Sequence, residues 1–137
     1  MEQFALGIAE AFNGGLDQFM AYHAEDVVHV TAPEWPESGT YRGREEVRRL
    51  WASILSVHSE HEIAVDEIVV LDKHRALSKL RWTARGAASG AETTTPIYTV
   101  ATERDGLIAG IAYFLDYDMA LAAAGQPERT LRERPPD

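Results

Sequence analysis

Three side chains combine reactive chemistry with a regular position in this sequence. His29 lies in the β-branched run Asp26-Val27-Val28-His29-Val30-Thr31. An imidazole titrates near neutral pH, so it suits a general base or a hydrogen-bond donor. Tyr98 and Tyr113 lie in later strand-like runs, and paired phenols polarise a carbonyl oxygen as an oxyanion hole does. Each has a structural reading beside the catalytic one: a histidine satisfied by a neighbouring hydroxyl, and core tyrosines whose hydroxyls reach a convenient acceptor. His58, Glu60, His61 and Glu62 are metal-ligand types, but they straddle a helix–strand junction and read as a solvated turn. No metal and no cofactor is expected. The chain has no cysteine, which excludes disulfides, thiolate nucleophiles, zinc–thiolate sites and iron–sulfur clusters.

The elements that would position these groups follow from periodicity. A helix from Glu2 to Phe12 aligns Phe4, Ile8, Ala11 and Phe12 on one face and stops at Asn13-Gly14-Gly15. A short helix follows from Leu16 to Tyr22, then a strand from Asp26 to Thr31. Pro33 to Gly39 is a turn-rich loop. A third helix from Arg44 to Val57 carries the stripe Val47, Leu50, Trp51, Ile54 and Leu55. The runs His61 to Leu71, Arg75 to Arg85, Thr93 to Glu103 and Leu107 to Leu115 read as an antiparallel meander, with Asp105-Gly106 as a hairpin signal. A last helix from Tyr117 to Ala124 ends at Gly125, and Asp116 stands where it needs a cap. Helices segregated from an antiparallel meander make an α+β fold.

Charge narrows the partners. The 137 residues carry 22 acids against 13 bases, a net charge of −9. Seven of those acids precede Arg42, and no Lys or Arg does. An acidic chain without a basic stripe is a poor partner for nucleic acid. No run is long and apolar enough for a membrane span, and the start lacks the positive charge of a signal peptide. A cytoplasmic protein is expected. The organisation expected is one domain over residues 1–125, followed by a mobile polar tail over 126–137.

Two stretches are similar to a known superfamily. They are Tyr22-His23-Ala24-Glu25-Asp26-Val27-Val28 and Ser38-Gly39-Thr40-Tyr41-Arg42-Gly43-Arg44-Glu45-Glu46-Val47-Arg48. Together with Arg104-Asp105-Gly106-Leu107-Ile108, Tyr113-Phe114-Leu115-Asp116 and Ala120-Leu121, they resemble the SnoaL-like branch of the nuclear transport factor two-like, or ketosteroid isomerase-like, superfamily. The resemblance runs from about Phe4 to Gly125. It implies a cystatin-like α+β cone, in which a curved antiparallel sheet is wrapped with helices around an internal cavity. The superfamily's catalytic carboxylates have no counterpart here. The isomerase base aspartate would fall near Thr31, and the isomerase oxyanion pair near Ile8 and Tyr98. The Arg-x-Asp of limonene epoxide hydrolases would fall on Leu80 and Trp82. The last-strand aspartate of those hydrolases and of SnoaL-type cyclases would fall on Tyr113.

If the superfamily's inward positions hold, alternation along each strand assigns the cavity wall. His29 and Thr31 come from the first strand, and Ser78, Leu80 and Trp82 from the third. Tyr98, Val100 and Thr102 come from the fourth, and Ile111, Tyr113 and Leu115 from the last. Ile8, Phe12, Trp51 and Leu55 come from the helices, with Trp35 near the mouth. This composition suits a small hydrophobic ligand. The function expected is that of a cofactor-free isomerase, cyclase or lyase acting on a small hydrophobic carbonyl compound, with His29 moving the proton and Tyr98 and Tyr113 holding the oxyanion. The alternative is a non-catalytic binding protein for a hydrophobic metabolite. The outward run Lys79, Arg81, Thr83 and Arg85 is a face on which a two-fold homodimer would form. One prediction rests on the sequence alone. With Leu80, Trp82, Tyr113 and Thr31 in the carboxylate positions, turnover of simple epoxides and of Δ5-3-ketosteroids stays at the buffer rate, measured by product formation. A rate approaching that of a dedicated enzyme would show the correspondence to be misplaced.

Overall fold

The computed structural model describes residues 1–125. The expected tail, 126–137, lies outside the described residues. In chain order the elements are α1 (Glu2–Asn13), α2 (Leu16–Met20), β1 (His23–Val30), β2 (Thr40–Arg42), α3 (Gly43–Ser56), β3 (His58–Val70), β4 (Arg75–Gly86), β5 (Glu92–Arg104), β6 (Leu107–Phe114) and α4 (Tyr117–Gly125). No helix among the described residues is long and apolar enough to cross a membrane.

The strands form one curved, open sheet in the order β2-β1-β6-β5-β4-β3. β3 to β6 make the expected antiparallel meander. The sheet as a whole is mixed, because β1 lies parallel to β6. The ladder slips between His58 and Glu60, between Val65 and Glu67, and between Thr102 and Glu103. Such bulges bend and twist a strand, which is how a sheet this long curls around helices. Asp105 and Gly106 both have positive φ, 56° and 79°, as a tight hairpin turn between right-twisted strands requires.

The sheet has two covered faces. On the concave face Phe12, Phe19, Val47, Leu50 and Trp51 pack against Trp82, Ile97, Ala101, Ile111 and Tyr113. Two reciprocal hydrogen bonds fix the end of α1: Asn13 Nδ2 donates to the Ile63 carbonyl (2.9 Å), and the Ile63 N–H donates to Asn13 Oδ1 (2.8 Å). The Asn13 amide thus acts as a short extra strand against β3, and it holds Phe12 inside the cone. On the opposite face Leu77 and Val100 pack under Ala120 and Ala124 of α4. Arg75 Nη1 donates to the Ala124 carbonyl at 3.1 Å, which satisfies one of the acceptors a helix end leaves open. The run Lys79, Arg81 and Arg85 pairs across the strands with Glu67, Asp66, Glu60 and Glu92.

Four expectations need correction. β1 begins at His23 rather than Asp26, and Thr31 lies just beyond its end. β2 was hidden in a stretch of three residues too short to show a pattern. α2 stops at Met20, because the chain must turn to enter β1. β3 begins at His58, so His58 and His61 are strand residues packed on Trp82, His58 edge-on with centroids 5.9 Å apart and His61 stacked at 6.1 Å, rather than a solvated turn.

Asp116 does cap α4: its Oδ1 accepts the Met119 N–H at 3.1 Å. Asp116→Ala should therefore cost about 1 kcal/mol, read from the urea midpoint. An unchanged midpoint would place the stability of α4 entirely in Ala120 and Ala124.

Candidate functional site

The site is built on one chain of buried hydrogen bonds. It begins at the C-terminal end of α2, where the Phe19 carbonyl lies 2.8 Å from His23 Nδ1. A carbonyl only accepts, so His23 Nδ1 carries a hydrogen and its Nε2 offers a lone pair. His23 Nε2 lies 2.9 Å from His29 Nε2, which makes His29 Nε2 the donor. His29 Nδ1 is then an acceptor, and two donors reach it: Trp51 Nε1 at 3.2 Å and the Tyr113 hydroxyl at 3.1 Å. Both rings are thereby fixed in one tautomer.

Local structure explains the arrangement. His23 and His29 both lie on β1, whose register against β6 slips between His23 and Val28; this irregularity, rather than simple alternation, leaves both rings buried. Their rings are stacked, with centroids 5.0 Å apart. His29 opposes Ile111 of the parallel β6, so Tyr113 on the same face stands beside it. Trp51 comes down from the buried side of α3.

Burial sets the electrostatics. His23 is 1% exposed and His29 is fully buried. Desolvation lowers the His23 pKa from 6.5 to about 4, against the bond to the Phe19 carbonyl, which raises it. Desolvation, and then the charge His23 would carry, hold His29 well below the usual value. Burial pushes the Tyr113 phenol well above its ordinary range, partly offset by the Trp51 N–H. At pH 7 the whole chain is neutral.

Two spaces adjoin this chain. The inner chamber, about 40 Å³, lies between α1 and the sheet. Ile8, Phe12, Ser78, Leu80, Ile111 and Tyr113 line it, together with Phe19, Thr99 and Ala101. None of its lining residues is charged. The outer cleft, about 340 Å³, lies at the mouth among Trp35, Trp82, His58, Thr95 and Ile97. Trp51 lines both spaces, which therefore meet at this side chain. The Tyr113 ring is flanked by Trp51 and Trp35, with centroids 5.5 and 5.6 Å away.

The site residues read from the sequence divide accordingly. His29 and Tyr113 are joined, but His29 lines neither space and stands behind Tyr113 and Trp51. Tyr98 is not part of the site. It faces the other side of the sheet and stacks on Tyr117, with centroids 5.2 Å apart. Val100 lies on that face too, in the cluster beneath α4, and Thr102 borders a surface depression with Arg75 and Ala123. The inward residues of β5 are Ile97, Thr99 and Ala101, one position out of step with the expected set. Thr31 Oγ1 donates to the carbonyls of Glu37 (2.8 Å) and Gly39 (3.2 Å), so it fastens the loop before β2. Leu55 and Leu115 are half-buried against the concave core without lining either space. His61 packs between Phe12 and Trp82. Its Nδ1 is buried with no hydrogen-bond partner among the described residues, and desolvation followed by the nearby His58 lowers its pKa.

Sequence reasoning missed His23 and Thr99. No alternation signal marked His23, because the register of β1 slips between His23 and Val28. The profile of the SnoaL-like domain matches residues 7–111. The chain belongs to the SnoaL-like domain family. Solved structures share the fold of this SnoaL-like domain. An NTF2-like protein of unknown function from Burkholderia pseudomallei K96243 superposes with a TM-score of 0.72 at 19% identity, over 88% of this chain and 94% of that one. A protein from Jannaschia sp. CCS1 described as a SnoaL-like polyketide cyclase gives 0.70 at 18% identity, over 89% and 88%. TerC, co-crystallised with polyporic acid, gives 0.71 at 16% identity, over 90% and 96%. A sequence comparison with curated proteins gave no match.

The neutral histidines of the SnoaL-like domain make stability depend on pH. The unfolded chain binds a proton at His23 below about pH 6.5, whereas the folded chain does so only near 4. The stabilisation is therefore complete above pH 6.5 and declines as pH falls through that interval. Between pH 6.5 and 5 His23 alone should lose about 2 kcal/mol, and His29, also held below its usual value, adds a loss of the same sign. Urea unfolding across this window should show a slope approaching two protons per molecule. Constant stability there would mean that both rings are charged in the fold.

Proposed function

We propose that the protein is a cofactor-free acid–base enzyme of the isomerase, cyclase or lyase type, acting on a small hydrophobic carbonyl compound. The observation that carries this reading is the Tyr113 hydroxyl. It stands in the wall of an uncharged chamber, hydrogen-bonded to a neutral imidazole whose other nitrogen is held by a second imidazole. A carbon acid or hydroxyl of the substrate gives its proton to the Tyr113 oxygen. The phenolic proton crosses to His29 Nδ1, leaving an enolate or alkoxide and an imidazolium. Reversal returns the proton to the same atom or to another, which completes an isomerisation or sets up an elimination or ring closure. His29 acts through Tyr113 and does not touch substrate, so it is a positioning and proton-accepting residue. Protonation at Nδ1 deprives the Trp51 N–H of its acceptor, which favours prompt return of the proton. The names of two structural relatives agree with a small-molecule site: one was co-crystallised with polyporic acid, and the other is described as a polyketide cyclase.

One observation favours a second reading, a non-catalytic carrier of a hydrophobic metabolite. No carboxylate lines the chamber, and every nitrogen of the two relay histidines is already satisfied within the protein. Hydrogen exchange separates the two. With 2-tetralone in D₂O, proton NMR should show exchange at the α-carbon above the buffer rate. Tyr113→Phe, which keeps the ring, should slow it by about 100-fold or more. Equal exchange by Tyr113→Phe would remove Tyr113 from the mechanism, and no exchange by the unmodified protein would select the carrier.

A further inference from the structure

Three hydroxyls stand in a row on the concave face. Ser78 opposes Thr99 across β4 and β5, and Thr99 opposes Tyr113 across β5 and β6. All three line the inner chamber. Ser78 is 5% exposed and Thr99 is 7% exposed, yet neither hydroxyl is hydrogen-bonded to another described residue. Neither oxygen is among the fully buried unpaired polar atoms, of which His61 Nδ1 is the one found among the described residues, so each hydroxyl keeps some accessible surface. Both residues line the chamber, so that accessible hydroxyl surface is available to a ligand there.

The remainder of the wall selects the chemistry. Among the described residues no Lys or Arg lines the chamber, so a carboxylate would find no cation there. No Asp or Glu lines it, so an ammonium would fare no better. A neutral acceptor oxygen meets two donors directly and lies beside Tyr113. The chamber's 40 Å³ holds little more than one oxygen-bearing tip. The rest of the ligand must then lie in the cleft of about 340 Å³ beyond Trp51, whose walls include Trp35 and Trp82.

We infer that Ser78 and Thr99 form the subsite for one neutral carbonyl oxygen, and that they present it to Tyr113 while a flat apolar body occupies the tryptophan-lined cleft. The ligand class is an aryl or polyenyl ketone or aldehyde with its oxygen at one end. This inference deepens the proposed function and rests on it for the identity of the reacting group.

The test measures affinity without turnover, through quenching of tryptophan fluorescence. The probes are 2-acetonaphthone, the hydrocarbon 2-isopropenylnaphthalene, which has the same shape, and 2-naphthoate. The ketone should bind about tenfold more tightly than the hydrocarbon, and the carboxylate more weakly than either. Thr99→Val and Ser78→Ala should each reduce the ketone's advantage about threefold and together abolish it, leaving the hydrocarbon's affinity unchanged. Equal binding of ketone and hydrocarbon would overturn the inference. So would a loss shared equally by both probes in the variants, or a failure of the ketone to bind. An oxygen preference without α-hydrogen exchange would keep the subsite and discard the proposed reaction. Exchange without an oxygen preference would do the opposite.

Discussion

The Phe19 carbonyl can only accept a hydrogen bond, and the Trp51 indole can only donate one. These two fixed ends orient every bond between them. The hydrogen on His23 must face α2, the hydrogen on His29 must face His23, and the free lone pair of His29 must face Trp51 and Tyr113. The chain thereby ties α2, β1, α3 and β6 into one connected arrangement at the centre of the concave core. It also leaves a single member with a choice. Tyr113 duplicates what Trp51 already supplies to His29, so its hydroxyl can turn toward a ligand without orphaning a buried nitrogen. Surplus at one acceptor is what makes this phenol available.

Neutrality follows from the same arrangement. A carboxylate in the chamber would need a cation or several donors to offset its desolvation, and the lining provides no cation. The positions where the superfamily's acids would fall serve other ends. Thr31 is engaged by the carbonyls of the loop before β2, Leu80 is chamber wall, and Tyr113 holds the relay. A phenol and an imidazole with pKa values pushed apart by burial rest uncharged. In the proposed reaction only His29 gains charge, opposite the substrate anion, where a low dielectric would strengthen the attraction.

The helices, the meander and the family were legible because they rest on long periodic stretches and tight turns. Phe4, Ile8 and Phe12 mark the inner face of α1, and Asp105-Gly106 marks a hairpin. The inner face of β5 was not legible. Thr93, Thr95, Ile97, Thr99 and Ala101 alternate with Thr94, Pro96, Tyr98, Val100 and Thr102, and both sets are moderately apolar. The reason lies in the fold: one face of this strand meets the cone helices, and α4 covers the other. Hydropathy distinguishes the faces of a strand only when one of them meets water. His23 escaped for a related reason. Glu25 and Asp26 are both exposed where the register of β1 slips, so the alternation breaks there and the strand looks shorter than it is. The outer cleft depends on Trp35, Trp51 and Trp82 arriving from three separate elements, and no spacing within one element reveals that.

The parallel seam between β1 and β6 has a kinetic consequence. The pairs β3–β4, β4–β5 and β5–β6 are hairpins that close short loops. The seam joins residues from opposite ends of the domain: His29 and Tyr113 are 84 positions apart. Closing a loop of that size costs more chain entropy, and contacts of such long range dominate the slow part of a folding reaction. The relay straddles this seam, with its histidines on one side and its phenol on the other. A nascent or partly folded chain with only the meander formed therefore has a sheet but no reactive pair. The His29–Tyr113 hydrogen bond can form only once this seam has closed, so its presence reports on the completeness of the fold.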